Sequence, residues 1–399
     1  MAAPRNRRFA ALAAVFLWAA SAGASPAPVE YSQLLDQADE LRSLDPAAFD
    51  EKLTELTRRS GEATQVELDR LSYLRSYQLA YSGRYDMAIE QASRLFELSQ
   101  DVPTRFRAGL LIANSYAATR DFSNGLSYLE NSLSLMDQIK APQLRHDGMT
   151  VAALLYNQVG QHELGLSFSE DILKSEASDR SRCFAGYLRL EASLALGRFA
   201  EPLESVHALI DNCAALNEAL AANLARGQLS RLLAREERYA EAVALIERHL
   251  PEVTATRYPR LISEMQSLLA EHLMAMGDIA GAEEHAREAL AAGGDTEYSM
   301  PLVIAHRVLY EAALSRGEHA QALAHFRNYA AADKAYLDDS QTRQMAYHLA
   351  QQETNRRVQE ITLLNRQNEV LRLEQQAAAL SARNNQLLLA LLVVLLATL

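Results

Sequence analysis

The side chains able to do chemistry in this 399-residue chain are two cysteines, ten histidines and a large set of carboxylates. Histidines that share a metal on one helix face stand three or four residues apart. His162-Glu163 lacks the second histidine of a zinc-protease helix, and His319 and His325, six apart, fall on different faces. His162 and His319 read as packed structural residues. No G-x-S-x-G elbow, glycine-rich phosphate loop or C-x-x-C pair occurs. The scattered Asp/Glu pairs read as solvated helix faces. The expectation is a chain with no catalytic residues, no metal and no cofactor of its own.

Two constellations remain. Tyr73, Tyr77 and Tyr81 step by four and so share a helix face. Each offers an apolar ring with a polar tip, suited to a peptide or glycan; the alternative is packing against a neighbouring hairpin. Cys183 and Cys213 stand 14 residues before and 16 after Gly197. In an antiparallel hairpin such positions lie side by side, so the spacing predicts a bridge across its open end. The alternative is a pair of buried thiols.

Helices must position these residues. Glycine (16) and proline (10) are scarce, and the runs are rich in Ala, Leu, Glu, Gln and Arg, all good helix formers. The fold class expected is all-α. The net charge of −12 argues against nucleic acid as a partner, because phosphate attraction needs a basic face. A short unit recurs: Gly83-Arg-Tyr85-x-x-Ala88, Arg120-Asp-Phe122-x-x-Gly125, Gly160-Gln-His162-x-x-Gly165 and Gly197-Arg-Phe199-x-x-Pro202. It continues as Glu237-Arg-Tyr239-x-x-Ala242, Gly277-Asp-Ile279-x-x-Ala282 and Gly317-Glu-His319-x-x-Ala322, at intervals of 37 to 40 residues. A fixed period in this range signals a solenoid of helical hairpins.

The array, over residues 64–335, resembles the tetratricopeptide repeat (TPR). Small residues stand seven before five of the turns (Ser76, Ala113, Ala153, Ser230, Ala270), while Leu190 and Tyr310 depart from the pattern. Residues 25–63 are expected as N-terminal capping helices, with Asp45-Pro46 as a helix start. The resemblance implies that the first helix of each pair lines a concave groove for a peptide or protein ligand. It places there Arg70, Tyr73, Tyr77 and Tyr81, then Arg107 and Asn114, then Asp147, Asn157 and Gln158. Tyr187 and Glu191, Arg231 and Arg235, Glu264 and Glu271, and Arg307 and Glu311 follow. Leu110 stands where a carboxylate-clamp lysine would be, so a C-terminal-peptide clamp is not expected.

The ends speak to location. Residues 1–24 read as an export signal: Arg5, Arg7 and Arg8, an apolar stretch from Phe9 to Ala20, then small-x-small sites at Ala20-Ser21-Ala22 and Ala22-Gly23-Ala24. Residues 387–399, LLLALLVVLLATL, read as the start of a transmembrane helix. Between them, residues 336–386 read as a coiled-coil connecting helix. Ile361, Leu364, Asn368, Leu371, Gln375, Ala378, Ala382 and Asn385 step three and four, and a second seam runs through Val370, Leu373, Ala377, Leu380, Asn384 and Leu387. A pause is possible near Asp338-Asp339-Ser340, and the alternative for the whole segment is a helix folded back on the repeats. A homodimer through the coiled coil is expected.

The stretch Tyr329–Leu399, with KAYLDD and LLNRQNEVLRLEQQ, is similar to the region ahead of the catalytic domain in TPR-containing membrane diguanylate cyclases of the GGDEF family. That resemblance implies the periplasmic input half of an inner-membrane signalling protein whose output domain is absent from these residues. The alternatives are a membrane-tethered periplasmic scaffold and the sensor half of a TPR histidine kinase.

Overall fold

The computed structural model describes residues 30–42, 44–293 and 299–398. The expected export signal lies outside the described residues. Two helices, α1 (Tyr31–Leu41) and α2 (Pro46–Arg58), form a first hairpin. Six more hairpins follow: α3 (Gln65–Tyr81) with α4 (Tyr85–Leu98), α5 (Val102–Ala118) with α6 (Phe122–Leu133), α7 (Pro142–Gln158) with α8 (His162–Lys174), α9 (Asp179–Ala195) with α10 (Leu203–Ala215), α11 (Ala219–Arg235) with α12 (Tyr239–Ala255), and α13 (Pro259–Met276) with α14 (Ile279–Gly293). The last pairs α15 (Met300–Ser315) with α16 (His319–Thr398), which runs 80 residues without a break. No strand occurs among the described residues.

Sequence chemistry sets the helix ends. Asp45 accepts hydrogen bonds from the Ala47 and Ala48 amides ahead of Pro46. Thr64 and Glu67 form a reciprocal capping box. Helices α5, α7, α13 and α15 open with a proline in their first two positions (Pro103, Pro142, Pro259, Pro301), where a missing N–H costs nothing. All seven repeated turn residues adopt the left-handed backbone, Arg120 (φ 70°) and Glu237 (φ 59°) as well as the five glycines.

Each of α3, α5, α7, α9, α11 and α13 touches the next odd-numbered helix, while no comparable contact joins successive even-numbered ones from α4 to α14. The odd helices therefore line the inner, concave face. The core lies between the layers in a series of clusters, with Phe106, Leu74, Ile112, Leu126, Leu155, Leu188 and Leu229 essentially sealed from solvent. Close stacking needs missing side chains: a Cβ on Gly148 would lie 2.5 Å from the Phe106 ring, and one on Gly109 would lie 2.7 Å from Phe96. Cys183 and Cys213 are joined by a disulfide, Cα to Cα 5.6 Å, across α9 and α10.

The structure adds three details to the sequence reading. Phe199-x-x-Pro202 does not begin a helix as its six counterparts do; α10 starts at Leu203, with Pro202 as its N-cap. A helix begun at Phe199 would place proline, which has no N–H, where the first intrahelical bonds form. No pause occurs at Asp338-Asp339-Ser340, since α16 continues through it. Within the segment expected as a connecting helix from 336, residues around 339–350 pack on the turns of the second and third repeats. There Asp339 pairs with Arg120 and, at 3.0 Å, with Arg343; Arg343 also donates to the Gln158 carbonyl at 2.9 Å. Tyr347 meets Tyr156 edge-on at 6.2 Å, and Ala346 is buried. No helix among the described residues is long and apolar enough to cross a membrane. The 387–399 run was expected as only the start of a span; its backbone is helical to Thr398, and its side-chain surroundings lie outside the described residues.

Candidate functional site

The concave face carries a ladder of polar contacts between consecutive inner helices. Arg70 reaches Asp36 at 2.6 Å, Asn157 reaches Glu191 at 3.0 Å, Arg231 reaches Glu264 at 2.8 Å, and Arg307 reaches Glu271. The partners stand 33 to 36 residues apart, about one repeat. Residues at i, i+4 and i+7 of one inner helix project together, so a single face supplies Tyr187 and Glu191, Arg231 and Arg235, and Arg260, Glu264 and Glu271.

At the N-terminal end, Asp39 of α1 accepts from Arg42 and Arg107, both at 2.5 Å. Arg107 lies over the Tyr73 ring at 4.1 Å and Arg42 over Tyr77 at 5.2 Å. Arg42 also comes within 3.7 Å of Asp147 on α7. Burial alone would raise the Asp39 carboxyl, but Arg107 and Arg42 outweigh it and hold it at about 2.

The tyrosine row closes the groove. Tyr77 stacks on Tyr81 at 6.1 Å, and Tyr81 stacks on Tyr258 at 6.3 Å. The Tyr81 hydroxyl donates to the Thr256 carbonyl at 3.1 Å, across 175 residues of sequence. The superhelix thus turns far enough for the first repeat to touch the loop ahead of α13. Burial first, then Tyr77 and Tyr258, push Tyr81 up to about 12.

Beyond that bridge lies a second cluster. Glu191 is held by two neutral donors, the Asn157 amide and the Tyr187 hydroxyl at 3.1 Å. Burial raises its carboxyl and the nearby Glu264 adds to this, while Asn157, Tyr187 and the Arg260 charge oppose. Burial and then Glu191 and Glu264 push the Tyr187 phenol well above its usual range. Arg260 makes no hydrogen bond or ion pair within the described residues. Burial opposes its charge, but Tyr258, Glu264, Tyr187 and Glu191 outweigh burial and raise it.

Of the groove residues expected from the sequence, Arg70, Tyr73, Tyr77, Arg107 and Asp147 gather in the first cluster, and Asn157, Tyr187, Glu191, Arg231 and Glu264 in the second. Tyr81 bridges the two ends of the turn. Glu271, Arg307 and Glu311 form a separate triad, with Arg307 to Glu311 at 3.4 Å. Asn114 lies seven residues after Arg107, on the same face and half-buried, and makes no side-chain hydrogen bond among the described residues. Arg235 is exposed. Gln158 lies at the repeat edge, where its carbonyl receives Arg343. Asp36, Asp39, Arg42, Tyr258 and Arg260 were not anticipated. The first three belong to a hairpin read only as a cap. Arg260 carried a usable signal, standing four residues before Glu264. Among the described residues no group of three His, Cys, Asp or Glu could hold a metal.

No protein-family model matches the chain, and no curated protein does. Solved structures do. A Rap protein complexed with Competence and Sporulation Factor superposes with a TM-score of 0.56 at 11% identity, covering 80% of this chain and 98% of that one. NprR in complex with its cognate peptide NprX gives 0.46 at 12% identity, over 82% and 84%. Aspartyl phosphate phosphatase F from Bacillus subtilis gives 0.44 at 11%, over 80% and 96%. At such identity the Rap likeness is one of fold. The chain is an all-helical, TPR-like solenoid.

Proposed function

We propose that the concave face is a receptor site for a short peptide, and that the chain is the sensory part of a signalling protein whose long C-terminal helix carries the response. The observation that carries the first half is the polar inner face. Among the described residues it presents Asn114, Arg235 and Arg260 without hydrogen bonds or ion pairs, and it also carries the pair of buried Tyr187 and half-buried Glu191. An extended peptide offers a donor and an acceptor at every residue, which such a row can satisfy. The solved Rap protein of similar fold holds a Competence and Sporulation Factor, which supports a ligand-binding role for the groove.

The experiment exposes the immobilised full chain to a pool of random-sequence hexapeptides and identifies those retained by mass spectrometry. The wild type is expected to retain a subset. Asn114→Ala, which breaks no side-chain hydrogen bond among the described residues, is expected to lower retention by roughly threefold to tenfold, the worth of one hydrogen bond. A wild-type chain that retains no peptide, or an Asn114→Ala chain that retains the same amount, overturns the reading.

The second half rests on segment order. An export-type leader, repeats, a paired helical rod and the apolar run 387–399 are the parts of a periplasmic input domain anchored in an inner membrane. The similarity of Tyr329–Leu399 to GGDEF proteins points to a diguanylate cyclase as the output. Coding sequence that continues past codon 399 into a GGDEF frame is what this requires; a stop codon or a kinase frame overturns it.

A further inference from the structure

The second cluster holds one unbalanced acid and one unbalanced base. Along the inner face Asp36 pairs with Arg70, Asp39 with Arg42 and Arg107, Glu218 with Arg180, Glu264 with Arg231, and Glu271 with Arg307. Glu191 departs from this pattern. Within the described residues its carboxylate has no cation within 4 Å, only the Asn157 amide on one oxygen and the Tyr187 hydroxyl on the other. Asn157 and Tyr187 are themselves buried, and Asn157 is tied to the Leu188 carbonyl at 3.1 Å, so the carboxylate is fixed in place. Arg260, exposed at the start of α13, makes no ion pair with an acid among the described residues, and its charge acts on Glu191 and Tyr187.

We infer that this site takes the free amino terminus of a peptide, with the α-ammonium on Glu191 and the first carbonyl oxygen on Arg260. An ammonium supplies three compact donors and no acceptor, matching a carboxylate whose two oxygens each already hold one neutral donor. The neighbouring guanidinium requires an acceptor close to that ammonium. In an amino terminus the first carbonyl oxygen is three bonds from the nitrogen; in a lysine side chain no acceptor is near the ammonium. The stacked Tyr81 and Tyr258 rings then wall the groove in which the following residues run. The inference rests on the peptide reading above and adds the polarity with which the chain enters.

The test presents the full chain with the random hexapeptide pool in two forms, with free and with N-acetylated amino termini, and compares retention by mass spectrometry. Acetylation removes the charge and adds bulk at one end only. The wild type is expected to favour the free form by roughly tenfold to a hundredfold, as for loss of one charge-assisted contact. Glu191→Gln keeps the shape of the side chain and is expected to retain both forms alike. Arg260→Gln, which breaks no hydrogen bond or ion pair among the described residues, is expected to weaken the free form by roughly tenfold. Equal retention of both forms by the wild type overturns the inference and leaves the peptide reading standing; retention of neither overturns both. A third arm adds free amino acids as competitors, and displacement of the whole pool by them shows a monomer site and overturns the assignment to a peptide terminus.

Discussion

His272, on the inner helix α13, is 2% exposed; its Nε2 lies 3.3 Å from Ser230 Oγ and its Nδ1 has no partner among the described residues. Burial first, and the Arg231 charge second, hold its pKa at about 4, below the 6.5 of a free histidine. Between those values the unfolded chain binds a proton that the folded chain refuses. The stability is therefore fully present above pH 6.5 and is lost as pH falls toward 4. The loss between pH 7 and pH 4.5 is of order 2–3 kcal/mol from this group. Urea unfolding of wild type and His272→Leu at both values checks it. The wild type is expected to lose about that much more than the variant, and equal losses would rule out His272 as the source. At this scale the sequence was informative where residues share a helix face: Tyr187 with Glu191, and Arg231 one repeat before Glu264. It was silent on Asp39 and Arg42, because nothing local says that a capping hairpin turns its acid and base inward to the third repeat.

At the scale of the element, the turns were legible because their chemistry is local. Glycine at the left-handed position ends five inner helices, and its absence at Arg120 and Glu237 did not hide the period, although a side chain there costs on the order of 1 kcal/mol. Pro202 shows the opposite case, a match in spacing overruled by a residue that cannot join the ladder. Helix α16 was legible as one long helix because neither glycine nor proline follows Gly317. Its later part leaves Leu363, Leu364, Val370, Leu371, Leu373 and Leu380 each at least half exposed. Leu364 and Leu371 lie on the first of the two heptad seams and Val370, Leu373 and Leu380 on the second, the positions that a parallel pair with a second copy would bury. Leu371→Lys places a charge in the first seam twice per dimer and is expected to weaken association by at least a hundredfold, a cost of about 3 kcal/mol or more. Sedimentation equilibrium on the full chain reads this directly; a wild type that sediments as a monomer, or a variant that remains dimeric, excludes the pairing.

The curvature of the whole molecule was not legible, since the 37- to 40-residue period leaves the superhelical pitch open. Pitch depends on how successive hairpins pack, and it shows only in contacts remote in sequence, such as Tyr81 to Thr256 and Arg343 to Gln158. The second of these bears on the proposed signalling role, because it ties α16 to the repeats. The tie centres on Asp339, whose side chain is 9% exposed and shared between Arg120 and Arg343. Removing the shared carboxylate takes the acid from both guanidiniums, and breaking a buried ion pair in this way costs about 3–5 kcal/mol. Asp339→Ala should therefore release the segment around 336–350 from the turns at Arg120 and Gly160 while leaving the hairpins folded, because Asp339 belongs to none of their cores. Hydrogen exchange across α16 provides the measurement. Protection of residues 336–350 is expected to fall by roughly a hundredfold or more, with that of α5, α7 and residues 319–335 unchanged. Unaltered exchange in 336–350 would mean that the Tyr156–Tyr347 contact and the buried Ala346 hold the helix without the charge, and that the docked segment is no switchable link between groove and rod.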